Sequence, residues 1–168
     1  VPTSGSYRLD GDDVSSLSDD SLADIRGNKL GFIFQTYNLL PRLDALANVE
    51  LPLLYGGVGR TRARAARALD AVGLSHRHGH RPSQLSGGEQ QRVGIARALV
   101  KDPSVILADE PTGNLDPKIT RDIMLLFRSI NLKGTTLVIA THSQELLQKT
   151  GQRILFLNDG QLVDEIYP

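Results

Sequence analysis

Cysteine and long hydrophobic runs are both absent from the 168-residue sequence. Without cysteine there is no disulfide framework, no thiolate metal site and no thiol nucleophile, which fits a reducing compartment. The longest apolar stretches, such as 51–55 with Pro52 inside it, are far shorter than the roughly 18 residues that cross a bilayer. Net charge is absent too, because 19 basic residues balance 19 acidic ones, so no overall field favours nucleic acid.

The composition that is present predicts one folded domain over residues 1–168. Hydrophobic residues make up 40% and charged residues 23% of the chain, close to the globular average, which argues against disorder or a coiled coil. The charge is uneven, since residues 10–24 carry six aspartates and no lysine or arginine, whereas residues 60–81 carry six arginines and only Asp70 as an acid. We therefore expect the two regions to face different neighbours.

Three continuous apolar runs, at 30–34, 105–108 and 136–140, predict strands of a parallel sheet that are buried on both faces. Apolar stripes at helical spacing lie between them. These stripes are Ala65, Leu69 and Val72; Val93, Ala96 and Val100; and Ile123, Leu126 and Ile130. Strands that alternate with helices predict an α/β fold, a mostly parallel sheet flanked by helices. The segment from Thr36 to Gln84 has no strong strand pattern and is predicted to be a helical insert.

Two shorter runs predict β-hairpins with Asp-Gly turns. Residues 7–9 alternate before Asp10-Gly11, and residues 154–157 lead through Asn158 to Asp159-Gly160. Asp-Gly pairs are among the strongest hairpin signals, because both turn residues need positive φ.

Polar side chains follow each of the three predicted strands: Gln35 the first, Asp109 and Glu110 the second, and His142 the third. Ligands of open α/β sheets bind outside the carboxyl ends of the strands, so we expect these four side chains to share one crevice. Asp109 and Glu110 are expected to lie on an extended segment and to point in opposite directions. An apolar run followed by Asp-Glu is typical of a carboxylate that holds a magnesium-bound phosphate beside one that activates water.

The sequence Leu85-Ser86-Gly87-Gly88-Glu89 opens the helix that is predicted to run to about residue 100. Ser86 and Glu89 have the spacing of a capping box. Gly87 and Gly88 each lower helix propensity by roughly 1 kcal/mol. Bare amides at a helix N-terminus can bind phosphate, and we take this to be the reason for the two glycines.

With these motifs in place, the chain resembles the nucleotide-binding subunit of ABC transporters over essentially all of its length. In chain order, the matching motifs are Gln35 for the Q-loop, Leu85 to Glu89 for the signature, Val105 to Glu110 for the Walker B strand, Gly113 to Asp116 for the D-loop and His142 for the switch histidine. Residues 35–41 and 108–116 are most similar to the ATPases of lipoprotein release, macrolide-type export and the cell-division ABC complex. The resemblance implies a P-loop NTPase-like fold in which residues 36–100 form a helical subdomain that ends in the signature helix.

The resemblance also implies roles for these residues. Asp109 would hold Mg²⁺ through water, Glu110 would be the general base, and His142 would contact the γ-phosphate of ATP. Gln35 would touch the metal or the water and report nucleotide state to the helical insert. The signature residues Ser86, Gly87, Gly88 and Glu89, together with Asp116, would serve ATP bound between two head-to-tail subunits.

The implied partners are a transmembrane permease subunit and a second ATPase subunit, with no nucleic acid expected. The implied location is cytoplasmic, peripheral on the inner face of the cell membrane. Apolar residues of the helical insert serve either its core or a groove for a cytoplasmic helix of the permease. These residues are Leu39, Leu40, Leu43, Leu46 and Val49.

The sequence departs from the family pattern in three ways. Ser143 follows His142 where aspartate is common, and Glu89 stands where glutamine is more frequent. No Gly-x-x-x-x-Gly-Lys-Ser/Thr loop occurs, so the amides and lysine that cradle the β- and γ-phosphates are missing. We therefore expect this chain alone to bind ATP poorly and to be inactive. The Pro2-Thr3-Ser4-Gly5 start predicts truncation of at least about 30 residues, the size of a strand-loop-helix unit.

Two alternatives remain beside a transporter ATPase. The arginines at 60, 62, 64 and 67 allow a soluble ABC ATPase that acts on ribosomes or DNA, although they also fit the solvated face of a helix. The missing loop allows a non-catalytic regulatory module, which the retained Glu110 and His142 argue against. Only 50 positions separate Gln35 from Leu85, too few for the coiled coil of a chromosome-maintenance ATPase.

Overall fold

The computed structural model describes residues 3–54, 59–143, 146–147 and 151–167. Val1, Pro2 and Tyr55, which sequence analysis placed in the start motif and in an apolar run, lie outside the described residues. The elements are, in chain order, β1 (Arg8–Leu9), β2 (Asp12–Asp13), α1 (Asp19–Lys29), β3 (Leu30–Phe34), α2 (Ala45–Leu54), α3 (Thr61–Ala71), α4 (Gly87–Leu99), β4 (Val105–Asp109), α5 (Pro117–Asn131), β5 (Thr136–Ala140), β6 (Ile154–Asn158) and β7 (Gln161–Ile166). A short 3₁₀ helix, Pro82–Gln84, precedes α4.

The three continuous apolar runs form one parallel sheet with the strand order β3-β4-β5. Its register pairs Phe34 with Asp109 and Asp109 with Ala140, so all three strands end at the same level. Helices connect the strands, as parallel pairing requires. The predicted α/β fold is confirmed.

The two faces of this sheet differ in burial. Ile33, Ile106 and Ala108 are at most 3% exposed and belong to the hydrophobic core. On the other face Phe32 is 38% and Val138 52% exposed. The prediction that the strands are buried on both faces is therefore wrong for the described part of the chain. A continuous apolar run places apolar side chains on both faces of a strand. It does not determine whether other elements of the fold cover both faces.

The predicted apolar stripes face the core in α3, α4 and α5, with Leu126 the one partly buried member. Helix α2 packs against α3 and α4, and α4 in turn packs against β3. Helix α4 therefore joins the helices of the insert to the sheet, while the division at 36–100 stays a prediction. Within the described ranges, no helix is both long and apolar enough to span a membrane.

Both predicted hairpins are present. Strands β1 and β2 pair antiparallel around Asp10 and Gly11, whose φ angles are 52° and 87°. Strands β6 and β7 pair in the same way around Asp159 and Gly160, with φ angles of 49° and 76°. Positive φ at both turn residues is the geometry that favours an Asp-Gly pair in a two-residue loop.

Helix α1 lies in the acidic stretch and was not predicted. Ser18 caps its first turn by accepting a hydrogen bond from the Ser21 amide, and Asp19 and Asp20 follow at the positive end of the helix dipole. Basic residues stand in the last turn, and no residue of α1 is buried. Charge placement rather than an apolar stripe thus marks this helix.

The loop between β3 and α2 is held by Asn48, whose side chain is fully buried. Its Oδ1 accepts a hydrogen bond from the Leu40 amide at 2.8 Å, and its Nδ2 donates to the carbonyls of Leu40, Leu43 and Asp44 at 3.2, 3.2 and 2.9 Å. The Asp44 carboxylate caps α2 by accepting from the Ala47 amide at 2.7 Å. One side chain therefore fixes the path of the chain into α2.

The five apolar residues of this region divide between core and surface. Leu46 and Val49 are buried in the core, while Leu39 and Leu43 are partly buried. Leu40 is 49% exposed. The core interpretation holds for Leu46 and Val49, and contact with a permease stays a prediction for the exposed Leu40.

Candidate functional site

The four polar residues predicted to share a crevice follow the level ends of neighbouring strands. Asp109 ends the central strand β4, Gln35 follows β3, and Glu110 follows Asp109 directly. Thr141 and His142 follow β5 on the other side. The strand order therefore puts Asp109 and Glu110 between Gln35 and His142.

Glu110 leaves the strand in an unusual backbone conformation. Its φ is +42°, the left-handed region that non-glycine residues rarely adopt, and its amide donates to the Ala140 carbonyl at 2.9 Å. The expected extended Asp109-Glu110 segment is therefore wrong at Glu110. Because the chain turns here, the Glu110 side chain is directed at the loop after β5 rather than simply opposite Asp109.

Three donors surround the Glu110 carboxylate. The His142 amide donates to Oε1 at 2.7 Å, Nδ1 of the His142 ring lies 2.6 Å from the same oxygen, and the Thr141 hydroxyl donates to Oε2 at 3.0 Å. Partial burial raises the pKa of Glu110, but the hydrogen bonds from His142 and Thr141 outweigh it, so the net pKa lies below its ordinary value. Glu110 is thus held ionised, as a general base must be.

His142 differs from its partner in exposure. Its side chain is 86% exposed, whereas that of Glu110 is 19% exposed. The imidazole can therefore rotate away from Glu110 into solvent without disturbing the core. The Glu110 carboxylate, by contrast, also accepts hydrogen bonds from the His142 amide and the Thr141 hydroxyl.

Asp109 and Gln35 place side-chain oxygen atoms at the same edge of the sheet. The exposed Asp109 carboxylate has no hydrogen-bond or ion-pair partner in the described part of the chain. Gln35 Nε2 donates to Asn114 Oδ1 at 3.5 Å, and Asn114 Nδ2 donates to the Gln35 carbonyl at 3.4 Å. A Cβ added at Gly113 would lie 2.8 Å from Gln35 Nε2, so only glycine lets the Gln35 amide approach this closely.

The turn after Gln35 is bound to helix α4. Tyr37 and Asn38 both have positive φ, 63° and 49°. The Arg97 guanidinium donates to both of their carbonyl oxygens, 2.9 Å from that of Tyr37. Burial lowers the pKa of Arg97. A planar guanidinium thus secures two neighbouring carbonyls at once.

The capping box at the start of α4 is confirmed. Ser86 Oγ accepts from the Glu89 amide at 3.3 Å, and the Ser86 amide donates to Glu89 Oε2 at 2.8 Å. Arg77 Nε donates to the other carboxylate oxygen at 2.9 Å. Hydrogen bonds from the Ser86 amide and hydroxyl and from Arg77 hold the pKa of Glu89 below its ordinary value.

The two glycines at the start of α4 have steric reasons that the sequence did not reveal. Gly88 is buried, and a Cβ there would lie 2.6 Å from Cγ2 of Ile119 in α5. A Cβ on Gly87 would lie 3.0 Å from the Tyr37 hydroxyl. Close packing therefore accounts for Gly88, so phosphate approach is not its only reason. The amides of Gly87 and Gly88 have no hydrogen-bond partner among the described residues, and bare amides at a helix N-terminus can bind an anion.

The remaining predicted residues form hydrogen bonds of their own. Asp116 caps α5, its carboxylate accepting from the Lys118 and Ile119 amides at 3.0 and 3.1 Å. Within the described residues, no hydrogen bond or ion pair joins Ser86 or Glu89 to Gln35, Asp109, Glu110 or His142. The structure thus brings Glu110 and His142 into direct contact, and among the described residues it forms no hydrogen bond from Ser86 or Glu89 to either of them.

Four residues to which the sequence patterns assign no individual role shape this region. Thr141, Asn114, Gln91 and Arg97 each bond a predicted site residue or the turn beside it. The position of Thr141 before His142 was a usable signal. The others reach partners 20 to 79 residues away, and no spacing rule predicts such contacts.

Two histidines of the loop between α3 and α4 form side-chain contacts. His78 Nε2 lies 3.0 Å from Asp70 Oδ1, and His80 Nε2 lies 3.2 Å from Nη1 of Arg77. In the part of the chain that the structure describes, no cluster of three or more histidine, cysteine, aspartate or glutamate residues can hold a metal.

Comparison with known proteins gives consistent matches. The profile of the ABC transporter family matches residues 1–113. The chain is 52% identical over 164 residues to YknY, an uncharacterized ABC transporter ATP-binding protein of Bacillus subtilis, covering 96% of this chain and 71% of that protein. It is 48% identical over 166 residues to the macrolide export ATP-binding/permease protein MacB of Chlorobaculum tepidum, covering 98% of this chain and 25% of MacB.

Solved structures match as well. The dimeric ATP-binding cassette MJ0796, in a post-hydrolysis state bound to ADP and Pi, superposes with a TM-score of 0.84 and 43% identity. The match covers 99% of this chain and 74% of that chain.

Proposed function

The chain belongs to the ABC transporter family of ATP-binding proteins, and from that premise we propose that it is the ATP-hydrolysing subunit of a transporter. It would power export of a substrate, or its extraction from the membrane, through a membrane-embedded partner. The contact between Glu110 and His142 beside the free Asp109 carboxylate carries this proposal. An ionised carboxylate, an exposed imidazole and a second carboxylate that has no partner among the described residues suit phosphoryl chemistry at one sheet edge.

Glu110 is proposed to be the general base. Its carboxylate accepts the proton of the attacking water, and its lowered pKa keeps it ionised at neutral pH. His142 holds the carboxylate in the resting state and, being exposed, can turn to the terminal phosphate of the substrate ATP. The Thr141 hydroxyl remains on Glu110 when His142 leaves.

Asp109 and Gln35 are proposed to hold Mg²⁺. A carboxylate and a side-chain amide oxygen are the hard ligands that Mg²⁺ prefers, and Asp109 has no competing partner in the described residues. When bound there, the ion would supply positive charge that stabilises the negative charge of the phosphate. Asn114 and Gly113 keep the Gln35 amide beside the end of β4.

Ser86, Gly87, Gly88 and Glu89 are proposed to serve ATP held by a second copy of the subunit. Among the described residues, no hydrogen bond or ion pair commits Ser86 or Glu89 to Gln35, Asp109, Glu110 or His142 of the same subunit, which is compatible with this arrangement. Asp116 is proposed to contribute next to that interface through the N-terminus of α5. The solved cassette that resembles this chain is dimeric, which also supports the pairing of two subunits.

The proposed partners are a permease subunit and the second ATPase subunit, and the proposed location is the inner face of the cell membrane. Similarity to MacB, whose name describes macrolide export, supports export rather than import. Nucleic acid is not among the proposed partners. Arg64 donates to the Val100 carbonyl at 3.0 Å and pairs with Asp102 at 3.1 Å, so it is committed within the fold.

The proposal is tested by Glu110→Gln in the protein expressed from its native gene. Loss of a general base lowers turnover by about 10²- to 10⁴-fold. Binding of a fluorescent ATP analogue is expected to persist, because the substitution leaves Asp109 and the start of α4 unchanged. Asp20→Asn, a charge change in the exposed α1, is the matched control. Unchanged turnover in Glu110→Gln would reject Glu110 as the base, and no ATPase activity in the wild type would reject the function.

A further inference from the structure

Gln91 joins helix α4 to the turn that carries Glu110. Its side chain is 0% exposed, and its Nε2 donates to the Pro111 carbonyl at 2.6 Å. Pro111 directly follows Glu110, and Gln91 lies three residues after Gly88 on the first turns of α4. A buried hydrogen bond therefore connects the first turns of α4 to the residue that directly follows the proposed base.

The turn needs such support because its backbone is strained. Glu110 has a φ of +42° and precedes a proline, which further restricts its backbone. Two main-chain bonds hold the turn, from the Glu110 amide to Ala140 and from the Gly113 amide to the Glu110 carbonyl at 3.1 Å. The bond from Gln91 adds a side-chain donor from another element.

The side-chain oxygen of Gln91 indicates that the bond from Nε2 to Pro111 is the reason why a glutamine occupies this position. Gln91 Oε1 is buried and has no hydrogen-bond partner among the described residues. An unpaired buried carbonyl costs free energy, whereas an apolar side chain of similar length avoids that cost. An apolar side chain, however, has no donor that could bond the Pro111 carbonyl as Nε2 does.

We propose that Gln91 is a positioning residue that fixes Glu110 through the Pro111 carbonyl. This inference rests on the proposed function, since it concerns the same base. Because α4 also begins with Ser86, Gly87 and Gly88, the bond ties the proposed base of one site to the residues proposed to contact the nucleotide of the other. A shift of α4 on dimer formation would then move Pro111 and adjust Glu110.

The test compares Gln91→Met with Arg92→Met in the protein expressed from its native gene. Arg92 Nη1 donates to the Val72 carbonyl at 2.9 Å, so the control also removes one bond from α4 to a carbonyl, but at a distance from the site. Gln91→Met is expected to lower kcat about tenfold, the effect of one lost hydrogen bond, with KM for ATP within about twofold of wild type. Arg92→Met is expected to leave kcat unchanged.

Two further measurements separate positioning from loss of stability. Hydrogen exchange at the Gly113 amide, which bonds to Glu110, is expected to accelerate in Gln91→Met and not in Arg92→Met. Gln91→Glu keeps the shape but turns a carboxylate oxygen toward the Pro111 carbonyl, and it is expected to lower kcat more than Gln91→Met. Equal kcat losses in Gln91→Met and Arg92→Met, or a changed KM with an unchanged kcat, would overturn the inference.

The outcome is distinguishable from failure of the proposed function. If the wild-type protein hydrolyses no ATP, the function fails, and exchange at Gly113 still reports whether Gln91 holds the turn. If the wild type is active and Glu110→Gln is not, the function stands. Normal kcat and normal Gly113 exchange in Gln91→Met would then reject only the role of Gln91.

Discussion

Replacing Asn48 by alanine is expected to lower the free energy of unfolding by more than the loss of a single surface hydrogen bond does. Asn48 is fully buried and holds the loop between β3 and α2 through four contacts. Alanine fits the helix well, so the loss comes from the loop and not from helix propensity. The substitution thus tests the buried side-chain hydrogen bonds of Asn48 alone.

The size of the effect follows from the groups that lose a partner. The Asp44 carbonyl keeps the Asn48 main-chain amide at 3.0 Å, and the Leu40 carbonyl keeps the Leu43 amide at 3.2 Å. The Leu40 amide and the Leu43 carbonyl keep no other hydrogen bond among those that the structure describes. At about 1–2 kcal/mol for each of these two groups, the free energy of unfolding falls by roughly 2–4 kcal/mol.

Urea denaturation followed by circular dichroism measures this loss. With a slope near 2 kcal/mol per molar urea, the midpoint falls by about 1–2 M. Asn131→Ala is the control, because Asn131 makes one exposed bond, from Nδ2 to the Thr135 carbonyl at 3.0 Å. If Asn48→Ala costs no more than Asn131→Ala, the loop is not held by Asn48 and the reasoning is refuted.

Three further substitutions at the start of α4 are tested by the same denaturation assay. Gly88→Ala places a Cβ 2.6 Å from Ile119 and is expected to cost about 1–2 kcal/mol after the gain in helix propensity, whereas Gly87→Ala, against the Tyr37 hydroxyl, is expected to stay within about 0.5 kcal/mol of wild type. Equal costs would contradict the packing argument. Glu89→Gln is expected to cost about 0.5–1 kcal/mol near pH 7 by losing the ion pair with Arg77. Because the pKa of Glu89 is lowered in the fold, this difference should shrink as the pH falls below the ordinary pKa of glutamate and vanish below the lowered one; a difference independent of pH would contradict it.

The sequence was sufficient for features that depend on local patterns. The apolar run that became β4 and the Asp-Gly pair that turns β6 into β7 needed only neighbouring residues. The capping box of Ser86 and Glu89 needed a spacing of three. The level strand ends at Gln35 and His142 followed from the general rule for parallel sheets.

Features that depend on distant partners or on backbone strain could not be read in this way. The turn at Glu110 depends on Ala140, and the role of Asn48 depends on a loop four to eight residues earlier. Helix α1 has no buried residue, so a search for apolar stripes overlooks it, although Ser18 and the acidic first turn are readable signals. The exposure of Phe32 depends on which elements pack against its face of the sheet, and the sequence of the strand does not determine this.

The bond from Arg97 to the turn after β3 has a consequence for how this region can vary. Both acceptors are main-chain oxygens, of Tyr37 and Asn38, so α4 recognises the path of the backbone and not the identity of the side chains. Substitutions at these two positions are therefore limited by stereochemistry: residues that adopt positive φ readily are tolerated, and β-branched residues are not. Arg97 itself is the less replaceable partner, since the ammonium of a lysine cannot meet two adjacent carbonyls in one plane.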